Sequence, residues 1–302
     1  MLIPQEIPIT EVSRLLNIAE KHIRQLPGGG QKQVFVVNNG GNKTVLKFVQ
    51  TSFRSTGSPS FNNYDAITKR TLREIELMRV YSAEELPSLD ELIYNENYNS
   101  GGAKFIVFSE KFIGDSSLRD LLTAGPIDIN EVVAIIEDIS NAINIYWGKG
   151  KIVHRDIKPE NIMKSDNTSR FVLIDSGVHF SPVHGSVSSG IIGTIPYLSP
   201  EQVIGNRNEL DSRSDLYCLG IVAYEALTGN HPYFDLSAVS GMSEDQVREI
   251  IINTKPKSFS EYQGLEVDKW LTDLITSLLS KRKFYRPRNA TKVIDILEGA
   301  SS

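Results

Sequence analysis

Ile152-Val-His154-Arg155-Asp156-Ile-Lys158-Pro-Glu-Asn161, a short polar interval, and then Phe171-Val-Leu-Ile-Asp175-Ser176-Gly177 form the stretch that decides how this chain is read. Two acids and one amide stand at strand–loop junctions, and a lysine follows the first acid by two residues. The 302 residues around it are roughly two domains' worth at about 150 residues each. With 40% hydrophobic and 23% charged residues, the chain has the balance of an ordinary globular protein able to bury sizeable cores. A net charge of −5 excludes the basic footprint of a nucleic-acid binder.

No apolar run approaches the roughly 20 residues that cross a bilayer, so no membrane partner is expected. The start, Met1-Leu-Ile-Pro-Gln-Glu6, lacks a basic region followed by an apolar one, which speaks against secretion. A single cysteine, Cys218, allows no internal disulfide framework and fits a reducing, cytoplasmic compartment.

The first part of the chain has strand character. Val34–Val37 and Thr44–Val49 flank Asn38-Asn-Gly-Gly41, a hairpin signal because such a turn needs φ > 0. Thr51 to Asn63 is rich in Ser, Gly, Asn and Pro and reads as a mobile loop. A helix capped by Asp65 and running to about Tyr81 follows, then strands at Glu91–Asn95 and Lys104–Phe108. The second part turns helical: Val132–Tyr146 and Leu216–Leu227 are apolar on nearly every face, the mark of helices buried in a larger body. Weaker helical patterns cover Leu118–Thr123, Glu244–Ile252, Asp268–Leu279 and Ala290–Leu297. A strand-rich unit followed by a helical one is an α+β arrangement, with a hinge expected at Glu110–Gly114.

The Ile152–Gly177 motifs resemble those of the eukaryotic-type (Hanks-type) Ser/Thr protein kinase family, and the resemblance covers about residues 20 to 298. It implies a bilobal protein-kinase-like fold: an antiparallel-sheet N-lobe with one helix, and a larger, mainly helical C-lobe. The expected division is a short extension over residues 1–20, an N-lobe over 21–112 and a C-lobe over 113–302. Asp156 would orient the substrate hydroxyl and accept its proton, and Lys158 would neutralise the moving phosphoryl group. Asn161 and Asp175 would hold Mg²⁺, a hard cation that takes oxygen ligands. A simple loop salt bridge explains neither Asn161 nor the Asp-x-Gly that follows.

Lys47 lies between apolar neighbours in Val45-Leu-Lys-Phe-Val49 and needs a partner, with Glu74 and Glu76 as candidates. On a helix these two differ by about 200°, so only one can face inward. Ile67, Thr71, Glu74, Met78 and Tyr81 form a stripe at helical spacing, which selects Glu74, and Arg73-Glu74-Ile75 matches the family's register. By the same resemblance Pro27, Gly28, Gly29 and Gly30 form the nucleotide loop, with Pro27 and Lys32 replacing two of its glycines. Val34 would roof the adenine, and Lys47, Glu110 and Phe112 complete the nucleotide contacts. Ser109 takes the gatekeeper position, and Ser176 stands where the family has phenylalanine.

Gly193-Thr194-Ile-Pro-Tyr197-Leu-Ser-Pro-Glu201 resembles the substrate-docking end of an activation segment. Thr194 within it, with Lys158 two residues after Asp156, favours Ser/Thr over Tyr acceptors. Ser186, Ser188 and Ser189 are candidate phosphorylation sites that would pair with Arg155. Asp215 would accept hydrogen bonds from the catalytic-loop backbone, and Glu201 and Arg286 match a buried ion pair of the family. His179 and His184 have metal-like spacing but no further ligand cluster, and Cys218 reads as inert core. The expected activity is transfer of the ATP γ-phosphate, with Mg²⁺, to Ser or Thr of a protein substrate, itself included. A pseudokinase scaffold is the alternative suggested by Pro27, Lys32 and Ser176. A small-molecule phosphotransferase is disfavoured by Thr194–Glu201.

Overall fold

Alternating apolar residues before residue 112 and helical periodicity after it divide the chain physically as well as by pattern. In the computed structural model the described residues are 5–26, 32–52, 62–81, 83–175, 195–205 and 210–300. They form two compact units, Met1–Phe112 and Ile113–Ser302.

The first unit carries a five-stranded antiparallel sheet in the order β1-β2-β3-β5-β4. Its strands are β1 (Ile23–Leu26), β2 (Lys32–Asn39), β3 (Asn42–Gln50), β4 (Leu89–Ser100) and β5 (Ala103–Lys111). Strands β2 and β3 turn through Gly40 and Gly41 at φ 62° and 97°, where a side chain would be strained, and Gly41 N–H donates to Asn38 Oδ1 at 3.0 Å. The four strands marked by sequence are present and β1 joins them, and β4 and β5 extend beyond the marked stretches because ladder hydrogen bonds carry polar residues such as Asn95–Asn99 along with the apolar ones.

Register decides which side chains share a face, since neighbours along a strand alternate. Phe35, Val37, Leu46, Phe48, Phe105 and Val107 form one buried face, with Phe48 edge-on to Phe35 and Phe105. Each such side chain contributes about 1.5–3 kcal/mol by leaving water. Against this face lie Ile7 and helix α1 (Ile9–Leu16), whose Val12 is fully buried. The leading segment is held by side-chain amides: Ile7 N–H donates to Gln33 Oε1 at 2.8 Å, Gln33 Nε2 to Gln5 O at 2.7 Å, and Gln5 N–H to Gln50 Oε1 at 2.9 Å. Glu11 then accepts from Tyr98 and Ser100 at 2.7 and 2.9 Å.

The opposite face buries Val49, Ile106 and Phe108 against Ile67, Ile75 and Met78 of α2 (Asn62–Val80). The helix starts at Asn62, so Asp65 lies within its first turn and is not the cap. Glu74 is half-buried and Glu76 exposed, as a 3.6-residue period with Ile67, Thr71 and Met78 inward requires.

The second unit is helical: α3 (Leu118–Leu122), α4 (Ile129–Gly150), α5 (Pro200–Ile204), α6 (Ser212–Thr228), α7 (Glu244–Asn253), α8 (Lys269–Leu278) and α9 (Ala290–Ala300). One antiparallel hairpin, β6 (Ile162–Lys164) with β7 (Phe171–Leu173), interrupts the helices. Helix α6 is buried almost all round and packs on α4 and α8. Gly220 permits that approach, since a Cβ there would meet Leu278 Cβ at 2.8 Å. The N-cap of α6 is Asp211, whose side chain accepts from Arg213 N–H. Asp215 therefore sits inside the first turn. Among the described residues no helix is long and apolar enough to cross a membrane.

Candidate active site

The candidate catalytic stretch is built on the small hairpin of the second unit. Asn161 immediately precedes β6 and Asp175 follows β7 by two residues. Register pairs Ile162 with Leu173, and Ile174 N–H donates to Asn161 O at 2.9 Å, so both polar residues emerge at one end of the hairpin. Asp175 is in the left-handed region at φ 56°, as is Arg155 at φ 72°. Such backbone is costly for a side-chain-bearing residue and persists only where its surroundings impose it.

For Arg155 those surroundings are explicit. His154 and Arg155 N–H donate to the two oxygens of the fully buried Asp215, at 2.8 and 2.9 Å. Gln202 Nε2 donates to Arg155 O at 3.0 Å. The loop is thus hydrogen-bonded from below by α6 and from one side by α5. Burial lifts the Asp215 carboxyl to about 7, and the two backbone donors pull it back. His154 is driven the other way, to about 4, by its burial, with the Asp175 carboxylate acting against it.

Asp156 is fixed through one oxygen. Oδ2 accepts from Asn161 Nδ2 at 2.8 Å and lies 3.1 Å from Lys158 Nζ. Oδ1 is buried and meets no hydrogen-bond partner among the described residues. Burial raises the pKa of Asp156, against the pull of Lys158 and Asn161, and the charge of Asp175 acts in the same direction as burial. Asn161 Nδ2 also donates to Asp156 O at 2.8 Å. With its NH₂ turned to Asp156, Asn161 has its amide oxygen as the remaining polar atom, an oxygen donor of the kind Mg²⁺ takes. Asp156, Lys158, Asn161 and Asp175 are therefore one cluster. No group of three or more His, Cys, Asp or Glu arranged for a metal occurs among the described residues.

In the first unit Lys47 stands directly opposite Val34 and Phe108 and shares their face of the sheet. Its ammonium is 2.6 Å from Glu110 Oε1, with the two side chains 3% and 4% exposed. Two expectations are corrected here. Ser109 pairs with Leu46 and points to the other face, where its hydroxyl donates to Asp90 O at 2.9 Å, so it is not at the gatekeeper position. Glu110 is not a hinge residue: it lies inside β5, between Val45 and Leu89, on Lys47's own face. Phe112 ends the unit, with Lys43 Nζ 4.6 Å from its ring centre. Pro27–Gly30, Ser176–Thr194 with Ser186, Ser188 and Ser189, and both His179 and His184 lie outside the described residues.

Glu201 and Arg286 form a buried two-point pair, Nη1–Oε1 at 2.6 Å and Nη2–Oε2 at 3.0 Å. Burial opposes the Glu201 charge, and Arg286 with Ser214 more than offsets it, leaving the carboxyl below its ordinary pKa. The sequence reading missed Arg119. Its guanidinium joins Glu160 of the catalytic loop at 2.7 Å, Glu225 of α6 at 2.6 Å and the Tyr197 hydroxyl. Only its place two residues into a Ser-capped helix hinted at a role, and nothing in sequence links it to Glu160.

The protein kinase domain pattern matches residues 22–295. The chain belongs to the protein kinase domain family. It is 27% identical over 290 residues to serine/threonine-protein kinase pkn2 of Myxococcus xanthus, covering 93% of this chain and 32% of that protein. Against serine/threonine-protein kinase PknB of Mycobacterium leprae it is 34% identical over 199 residues, 65% of this chain and 30% of the other. Serine/threonine-protein kinase A of Synechocystis is 30% identical over 201 residues, 62% of this chain and 37% of the other. The chain thus spans about a third of the length of these curated relatives. Protein kinase domains generally use ATP and Mg²⁺, and the oxygen donors of Asn161 and Asp175 suit such a cation.

Proposed function

We propose that this protein kinase domain transfers the γ-phosphate of ATP to serine or threonine hydroxyls of protein substrates, with Mg²⁺ held by Asn161 and Asp175. The observation that carries the reading is Asp156 Oδ1: a buried carboxylate oxygen with no hydrogen-bond partner among the described residues, beside a lysine and with its sister oxygen tied down. An unmet buried acceptor costs about 1–3 kcal/mol, and a substrate hydroxyl would satisfy it. Asp156 then orients that hydroxyl and takes its proton as the oxygen bonds to the γ-phosphorus and the bond from phosphorus to the bridging oxygen breaks, releasing ADP. Lys158, close enough to share charge with Asp156, balances the negative charge that moves with the phosphoryl group. Bound Mg²⁺ would neutralise phosphate charge. Lys47 would contact the α- and β-phosphates, with Val34 on the same face roofing the base.

Acceptor class follows the relatives' names and the Lys158–Thr194 pattern. Autophosphorylation of Ser186, Ser188 or Ser189, with the phosphate paired to Arg155, belongs to the same proposal. The test is incubation of purified protein with Mg-ATP beside an Asp175→Ala control, with phosphate mapped by mass spectrometry. Phosphoserine or phosphothreonine in the wild type alone supports the reading. Nucleotide binding without transfer turns it into a scaffold, and phosphate only on small molecules defeats the protein-substrate part. Equal activity of wild type and the triple Ser→Ala protein after ATP pre-incubation removes the regulatory part.

A further inference from the structure

The residue on Lys47's face that the established roles leave without a task is Glu110. Register puts Lys47 opposite Phe108 and Glu110 opposite Val45, so the acid lies one pleat along the same face as the lysine. The ammonium rests 2.6 Å from Glu110 Oε1 and 5.8 Å from the Phe108 ring centre, and both charged side chains are out of water. We propose that Glu110 is a charge clamp on Lys47 that tempers nucleotide affinity, because the phosphates of a nucleotide must compete with its carboxylate for the ammonium. This rests on the reading that Lys47 contacts nucleotide phosphates.

The physical argument is one of shared charge. A lysine ammonium is a compact point charge with three donors, able to turn toward a second acceptor without the planar constraint of an arginine. A phosphate brought to Lys47 also comes near the Glu110 carboxylate, and like charges in a low-dielectric setting repel strongly. Glu110 therefore weakens binding of phosphate-bearing nucleotides while leaving a neutral nucleoside unaffected. Its contribution falls on nucleotide affinity, and so on KM for ATP more than on kcat.

The experiment is calorimetric titration of Mg-ATP and of adenosine into wild type, Glu110→Gln and Glu110→Asp. The ratio of ATP to adenosine affinity rises about tenfold or more in Glu110→Gln, the size of an ordinary coupling between bound groups. It rises less in Glu110→Asp, which keeps the charge but withdraws it by one methylene. Steady-state assays show KM for ATP falling by a similar factor with a smaller change in kcat. Adenosine binding at wild-type strength reports that a variant is folded, and if Gln fails this check, Asp alone decides the matter. An unchanged ATP-to-adenosine ratio in a folded variant overturns the clamp. Failure of every protein, wild type included, to bind Mg-ATP overturns the nucleotide reading of Lys47 and the clamp with it.

Discussion

Among the described residues, each unit holds an acid–base pair at 2.6 Å with both side chains out of water, and the two pairs are built for opposite ends. In the second unit Arg286 gives both Nη atoms to Glu201 and its remaining donors to backbone: Nε to Ser280 O at 2.8 Å, Nη1 to Arg213 O at 2.8 Å and Nη2 to Lys281 O at 3.3 Å. Glu201 also accepts from Ser214 Oγ at 2.7 Å. That pair joins α5, the start of α6 and the turn after α8, and moving it would strand three carbonyls. In the first unit Glu110 meets Lys47 through a rotatable ammonium on a flexible stem, which can change partners. Buried charge serves as a fastener in one place and as an adjustable contact in the other.

Neutralising both members of each pair breaks or sharpens that comparison most directly. Arg286→Met with Glu201→Met should cost about 3 kcal/mol or more in urea unfolding, because several carbonyls lose their donor at about 1–3 kcal/mol each. Lys47→Met with Glu110→Met should cost clearly less, since replacing a buried ion pair by apolar side chains is often close to neutral. Equal losses would erase the distinction. Asp156→Asn should lower phosphoryl transfer about 10²–10⁴-fold, the usual worth of a general base, without moving the unfolding midpoint. A stability loss on the scale of the Arg286 variant would make Asp156 a fastener too. Smaller again, Glu74→Gln should reduce activity clearly and Glu76→Gln hardly at all, since only Glu74 is on the half-buried side of α2. The reverse order would place α2 in the other register.

Acid offers the mildest separation of the units. His231 is buried, with Nε2 3.2 Å from Pro196 O and Nδ1 accepting Tyr233 N–H at 3.2 Å, and burial drives its pKa down to about 3. Between about pH 6.5 and 3 the unfolded chain binds a proton that the folded one refuses. The stability contributed by neutral His231 is therefore present above pH 6.5 and lost progressively as pH falls toward 3. His154 adds the same sign from 6.5 to about 4. Thermal unfolding of the second unit should weaken on acidification across that window, and His231→Gln should flatten the slope. An unchanged slope would count against a neutral, buried His231.

Much of this was legible in the chain, for identifiable reasons. The Asn38–Gly41 turn, the all-round apolar α6 and the Asp156–Asp175 spacing are local signals, and each is found where its chemistry puts it. The Glu201–Arg286 and Asp215 contacts followed from family resemblance, since no local rule links residues so far apart. The misreading of Ser109 and Glu110 has a physical cause. Strand β5 is buried on both sides from Phe105 to Glu110, so it lacks the apolar–polar alternation that marks a face, and a slip of one residue turns every side chain over. Arg119 escaped because its partners come from α6, the catalytic loop and the segment before α5, a meeting that only the folded chain makes.

The pair of hydrogen bonds from His154 and Arg155 to Asp215 has a consequence on the clock of the molecule. Loop amides ordinarily exchange with solvent deuterium quickly, because small local openings suffice to expose them. These two end on a carboxylate with no solvent exposure, inside a helix buried on nearly every side. They can be released only when α6 leaves its packing, so they should exchange at the pace of the slowest core amides of the unit. The loop that carries Asp156 is thereby timed by the most permanent part of the structure.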